Sequence, residues 1–159
     1  TLFILVLQYQ STDDPKLQKK IYQFYVKFYQ FINNWDLVDL TAPPIVGRYL
    51  FDKDTAILMK WTKSKNLWRR RVAILATFYF IKNNQFSETL KISKELLHDK
   101  EDLIHKAVGW MLREVGKRDL NTEEKFLKKY YKIMPRTMLR YAIERFPEKK
   151  RLGYLTGEI

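Results

Sequence analysis

The chain has 159 residues, 46% hydrophobic and 15% aromatic, with 30 Lys plus Arg against 18 Asp plus Glu and a net charge of +12. That length and apolar content suit one folded domain with a real core and exclude a disordered chain. The lack of cysteine excludes disulfides and thiolate metal sites, the longest apolar run (Leu2 to Leu7) is far short of the ~20 residues that span a bilayer, and the positive excess favours a polyanionic partner, nucleic acid before a membrane surface.

The spacing predicts helices throughout, with no alternating strand pattern and no hairpin turn. Residues 2–10 read as a buried helix. Its apolar residues need partners on several sides, which predicts upstream helices ahead of Thr1. Asp14 followed by Pro15 is a helix start, and the helix from about 15 to 32 carries Leu17, Ile21, Phe24, Tyr25 and Phe28 at three- and four-residue spacings. Asn34 is expected to cap a short helix from Trp35 to Thr41, which Pro43–Pro44 stops, and a further helix runs from Pro44 to Phe51. Helices follow at roughly 54–63, 67–83, 86–98, 102–118, 122–133 and 136–146, then a basic tail at 148–159. Helices of this length on short connections predict antiparallel pairs stacked in a solenoid, with a compact bundle as the alternative.

The segment 102–118 separates two faces when projected at 100° per residue. Ile104, Ala107, Val108, Met111, Leu112 and Val115 form the core face. Lys106, Trp110, Arg113 and Lys117 fall within about 60° of one another on the opposite face. A tryptophan among three cations either packs on a neighbouring helix or floors a wet groove for nucleic acid. Trp35 and Asp39 are four apart and share a helix face, whereas Asp36 suits the helix dipole in the first turn. Asp39 pairs with an arginine or serves as a catalytic carboxylate. Arg71 shares a stripe with Leu67, Ile74, Leu75 and Phe78, so its stem is expected to be partly buried and its guanidinium preorganised for a phosphate or carboxylate. Arg69 and Arg70 point elsewhere. His98 and His105, seven apart, suit neither a zinc pair nor a nucleophile and base. No glycine-rich phosphate loop and no Ser-His-Asp set occurs.

Three blocks carry a family resemblance: Asn34-Trp35-Asp36-Leu37-Val38-Asp39, Leu67-Trp68-Arg69-Arg70-Arg71-Val72-Ala73-Ile74-Leu75 and His105-Lys106-Ala107-Val108-Gly109-Trp110-Met111-Leu112-Arg113-Glu114. In order and separation they resemble the AlkD-like DNA alkylation repair family, nearly to Phe146. The resemblance implies a curved α-solenoid of HEAT-like repeats with a basic concave face holding duplex DNA. It also implies excision of cationic purines such as 3-methyladenine and 7-methylguanine. By position it assigns Trp35, Asp39 and Trp110 to catalysis and Arg71 to the cleft. Lys106, Arg113, Lys117, Arg69 and Arg70 are expected as further DNA contacts from their charge. It implies recognition from the backbone side, without a deep base pocket, and repeats upstream of this segment. Asn34 stands where some relatives carry an aromatic, and Arg69 and Arg70 make this version more basic.

The expectation is therefore a single helical-repeat domain over 1–159, cytoplasmic and monomeric. Its partner is duplex DNA with alkylated bases, and it uses no metal, cofactor or membrane. A non-catalytic nucleic-acid-binding repeat protein shares the charge and fold and differs only in whether Asp39 does chemistry. A protein-interaction scaffold instead requires an apolar concave face.

Overall fold

The computed structural model describes residues 2–159. Thr1, where the upstream repeats were expected to join, lies outside them. The helices are α1 (Leu2–Gln10), α2 (Pro15–Phe28), α3 (Trp35–Thr41), α4 (Arg48–Leu50), α5 (Ala56–Thr62), α6 (Leu67–Lys82), α7 (Ser87–Glu95), α8 (Asp102–Gly116), α9 (Leu120–Tyr130), α10 (Arg136–Ala142) and α11 (Glu148–Thr156). Among the described residues there is no strand.

The helices form two rows of a solenoid. One row runs α3, α6, α8, α10, each packed on the next. Behind it lie α5, α7 and α9, with α5 against α6 and α7, α7 against α6 and α8, and α9 against α8, while α2 packs on α1, α4 and the Ala42–Gly47 turn. Core positions repeat at helical spacing. On α8, Ile104, Ala107, Val108, Met111, Leu112 and Val115 are all fully buried, as their spacing required. α6 lies centrally, between α3 and α8, and is buried nearly all round from Arg71 to Thr77.

Two glycines set how closely the first row packs. A methyl group on Gly47 would lie 2.2 Å from the Ala76 carbonyl oxygen, and one on Gly109 would lie 2.4 Å from that of Met138. Backbone therefore meets side-chain-free backbone at both crossings, α4's lead-in against α6 and α8 against α10.

Three expectations are corrected. Pro43–Pro44 does not end a helix: residues Ala42–Gly47 form a π-helical turn that carries the chain from α3 into α4 without a break. The wider turn absorbs the missing proline N–H groups, so Asp39 and Arg48 sit on one continuous rod. Residues 148–159 are not merely a tail, because α11 docks Tyr154 against Tyr131 and Phe146. Nor is the first helix buried all round, since Val6 and Tyr9 are buried while Ile4 and Leu7 are exposed. Asn34 takes the N-cap position of α3 without a side-chain hydrogen bond, and Asp36 accepts from the Leu37 N–H instead.

Candidate active site

The row α3, α6, α8, α10 places its outward side chains along one cleft of about 330 Å³. α3 contributes Trp35 and Asp39, one helical turn apart, and α6 contributes Arg71. Leu103, Lys106, Trp110 and Arg113 come from α8, and Tyr141 closes the far side from α10. The two tryptophans that are 75 residues apart in sequence thus border one cleft with the acid and the arginine.

Asp39 and Arg71 form a two-point ion pair. Arg71 Nε donates to Asp39 Oδ1 and Nη2 to Oδ2, both at 2.8 Å. Arg71 Nη1 donates to the Leu103 carbonyl, which ties α3 and α8 together through α6. The arginine side chain is 6% exposed and the aspartate 16%. Fork-to-carboxylate geometry fixes the plane of the carboxylate. Each oxygen keeps a further lone pair, and the exposed edge opens on the cleft. Of the two partners expected for the Arg71 guanidinium, a phosphate or a carboxylate, the structure places the Asp39 carboxylate on it.

Trp110 is half-buried. Its ring leans on Phe78 with centroids 5.8 Å apart, and its Nε1 donates to Glu114 Oε1 at 3.3 Å. Burial pushes the Glu114 carboxyl up, but hydrogen bonds from Lys117, Trp110 and Arg118 outweigh it and leave the group below its ordinary range. Trp110 is therefore held by a carboxylate behind it. Trp35, at the first position of α3, is 54% exposed and forms an open aromatic rim.

Lys106 pairs with Asp102 at 2.8 Å, and Arg113 with Glu144. The hydrogen bond to Asp102 holds the Lys106 ammonium above its ordinary range. Both carboxylates are more than half exposed, so water screens these pairs.

The other three cations expected at DNA lie elsewhere. Lys117 is turned onto Glu114. Arg69 stacks its guanidinium 3.7 Å from the Tyr29 ring centroid and 5.6 Å from that of Trp61. Arg70 donates to both oxygens of Asp99, at 2.6 and 3.2 Å, and to the Ser64 carbonyl. All three brace the fold and none lines the cleft. Sequence reasoning missed Tyr141, Phe78 and the Leu103 carbonyl. Tyr141 had a signal, an aromatic off the Met138–Leu139–Ala142 core stripe of α10.

Among the described residues no cluster of three or more His, Cys, Asp or Glu is placed to hold a metal, and no helix is long and apolar enough to cross a membrane. His105 Nε2 lies 2.6 Å from the Asp99 carbonyl oxygen, a structural contact.

A helical solenoid that gathers a carboxylate, two indoles and cations along one row defines an α-helical repeat protein with a charged aromatic cleft. The chain matches the family model of DNA alkylation repair enzymes over residues 2–146 and belongs to that family. Membership supports a role in DNA repair, with DNA as the substrate. The fold is similar to a solved structure described as a predicted DNA alkylation repair enzyme from Enterococcus faecalis, at 19% identity and a TM-score of 0.71, covering 92% of this chain and 67% of that one. None of the curated protein sequences matches this chain.

Proposed function

We propose that the protein is a DNA glycosylase that releases positively charged alkylated purines, of the 3-methyladenine and 7-methylguanine type, from duplex DNA. One observation carries the reading: Asp39, held in plane by Arg71, opens on a cleft flanked by Trp35 and Trp110 and rimmed by Lys106 and Arg113.

The chemistry matches those residues. An alkylated purine is a cation, so when its C1′–N bond breaks the electron pair goes to nitrogen and the base leaves neutral. No general acid is required, which suits a cleft without histidine. The sugar develops oxocarbenium character. Asp39 faces that charge and lowers the barrier electrostatically. Water then adds at C1′, and Asp39 orients it and accepts its proton on the way to solvent. The faces of Trp35 and Trp110 favour the same developing cation. Lys106 and Arg113 leave their exposed partners for flanking phosphates. Recognition from the sugar-phosphate side, without a deep base pocket, is part of this reading.

The ion pair favours a second reading. A carboxylate already bound at two points by arginine is also what a non-catalytic DNA-binding repeat protein would use to brace α3 on α6. Incubation with methylated duplex DNA and chromatography of the released bases separates the two. The glycosylase yields free 7-methylguanine above the spontaneous rate, and the binding protein yields none.

A further inference from the structure

Asp39 borders a second cleft of about 460 Å³, which meets the first at that residue. Its walls include Gln10, Pro43, Arg48, Phe78 and Lys82. Phe78 joins the two floors, since its ring also touches Trp110. Arg71, Phe78 and Lys82 lie on one stripe of α6, and Lys82 is about 16 Å along the axis from Arg71.

The second cleft is cationic. Lys82 lies over the Phe78 ring with its Nζ 4.7 Å from the centroid, and among the described residues it makes no ion pair. Arg48 is anchored by donating to the Tyr9 carbonyl at 3.0 Å, and its other nitrogen faces the fully exposed Asp13 at 3.6 Å. The one acid in the wall is Asp39, already matched by Arg71. These charges discriminate between occupants. A cationic alkylated base would meet two cations, and a neutral base would leave both unused. A phosphodiester uses both, with Gln10 as a further hydrogen-bond donor.

We propose that this second cleft is a phosphate subsite, gripping the lesion-bearing strand through Lys82 and Arg48. It lies on the opposite side of the lesion sugar from the phosphate held by Lys106 and Arg113. The proposal rests on the reading that the sugar sits at Asp39. The strand then passes from one cleft to the other across the acid, and the sugar is clamped at both of its phosphates.

The test is fluorescence anisotropy with a short duplex carrying one stable abasic-sugar analogue, as a function of salt. A companion set of duplexes each bears one uncharged methylphosphonate linkage beside the analogue. Lys82→Ala is expected to lower the slope of log K against log salt by about one unit. The neutral linkage on one side of the sugar should weaken wild-type binding more than it weakens Lys82→Ala, where Arg48 alone still meets that phosphate, while Lys106→Ala loses part of its sensitivity to the linkage on the other side. An unchanged slope, or both lysines coupling to the same linkage, overturns the subsite. Coupling at Lys106 without coupling at Lys82 removes this proposal alone. Coupling at Lys82 in a protein that releases no base removes the catalytic reading and leaves the subsite standing.

Discussion

Replacing Arg71 by methionine removes the guanidinium while keeping much of its apolar stem. Three donor contacts go with it: two to Asp39 at 2.8 Å and one to the Leu103 carbonyl. Breaking a buried ion pair by deleting one partner costs about 3–5 kcal/mol, because the other charge is left unmatched. Asp39 has an edge on the cleft and can recruit water, which favours the lower end, roughly 3 kcal/mol. At about 2–4 °C per kcal/mol for a chain of this size, Tm should fall by roughly 6–12 °C. Asp39→Asn leaves the opposite charge stranded and turns an amide N–H₂ toward the guanidinium, so it too should destabilise. The double variant removes both problems. Thermal unfolding followed by circular dichroism for all four proteins gives the coupling directly. The two single losses should exceed that of the double variant by about 2 kcal/mol or more. Additivity within about 0.5 kcal/mol would refute the claim that Arg71 exists to hold Asp39.

Gly109→Ala puts a methyl group 2.5 Å from the Tyr141 Cβ and 2.4 Å from the Met138 carbonyl oxygen. It should cost about 1–3 kcal/mol by parting α8 from α10, read in the same melts, with no loss counting against the packing argument. Trp35→Ala alters an exposed ring, so unfolding should shift by less than about 0.5 kcal/mol while base release falls clearly. Equal loss of stability and activity would instead make Trp35 a packing residue. Glu123 is 2% exposed, and burial, with a smaller push from Glu124, raises its carboxyl from the usual 4.5 to about 8 against Arg113 and Lys150. The folded state holds that proton between about pH 4.5 and 8 and the unfolded state does not, so stability falls as pH rises through that window. Glu123→Gln should flatten the fall, raising Tm relative to wild type at pH 8.5 more than at pH 5, and parallel curves would contradict the shift.

The helical spacing carried most of the fold because apolar positions recur locally. The core face of α8 and the buried stem of Arg71 were both legible that way. What escaped was set by partners distant in sequence. Arg70 finds Asp99 across 29 residues, and Arg69 stacks on Tyr29, so two cations expected at DNA make internal contacts. Pro43–Pro44 reads locally as a stop, yet packing against α6 favours a π-helical turn. Residues 148–159 read as a basic tail from their charge, yet Tyr154 within them finds an aromatic pocket. In the cleft, the pairing of Asp39 with an arginine was one of two readings open from sequence. The structure makes it geometry, and it also supplies Tyr141 and Phe78, whose places depend on how the helices cross.

The central claim is that the Asp39 carboxylate stabilises the sugar as the base departs. Single-turnover release of 7-methylguanine from a defined duplex, comparing wild type with Asp39→Asn at a temperature where both remain folded, tests it most directly. Loss of one preorganised electrostatic contact to a developing charge should slow release about 10²–10³-fold, with duplex affinity little changed. Release by Asp39→Asn at the wild-type rate would contradict the account.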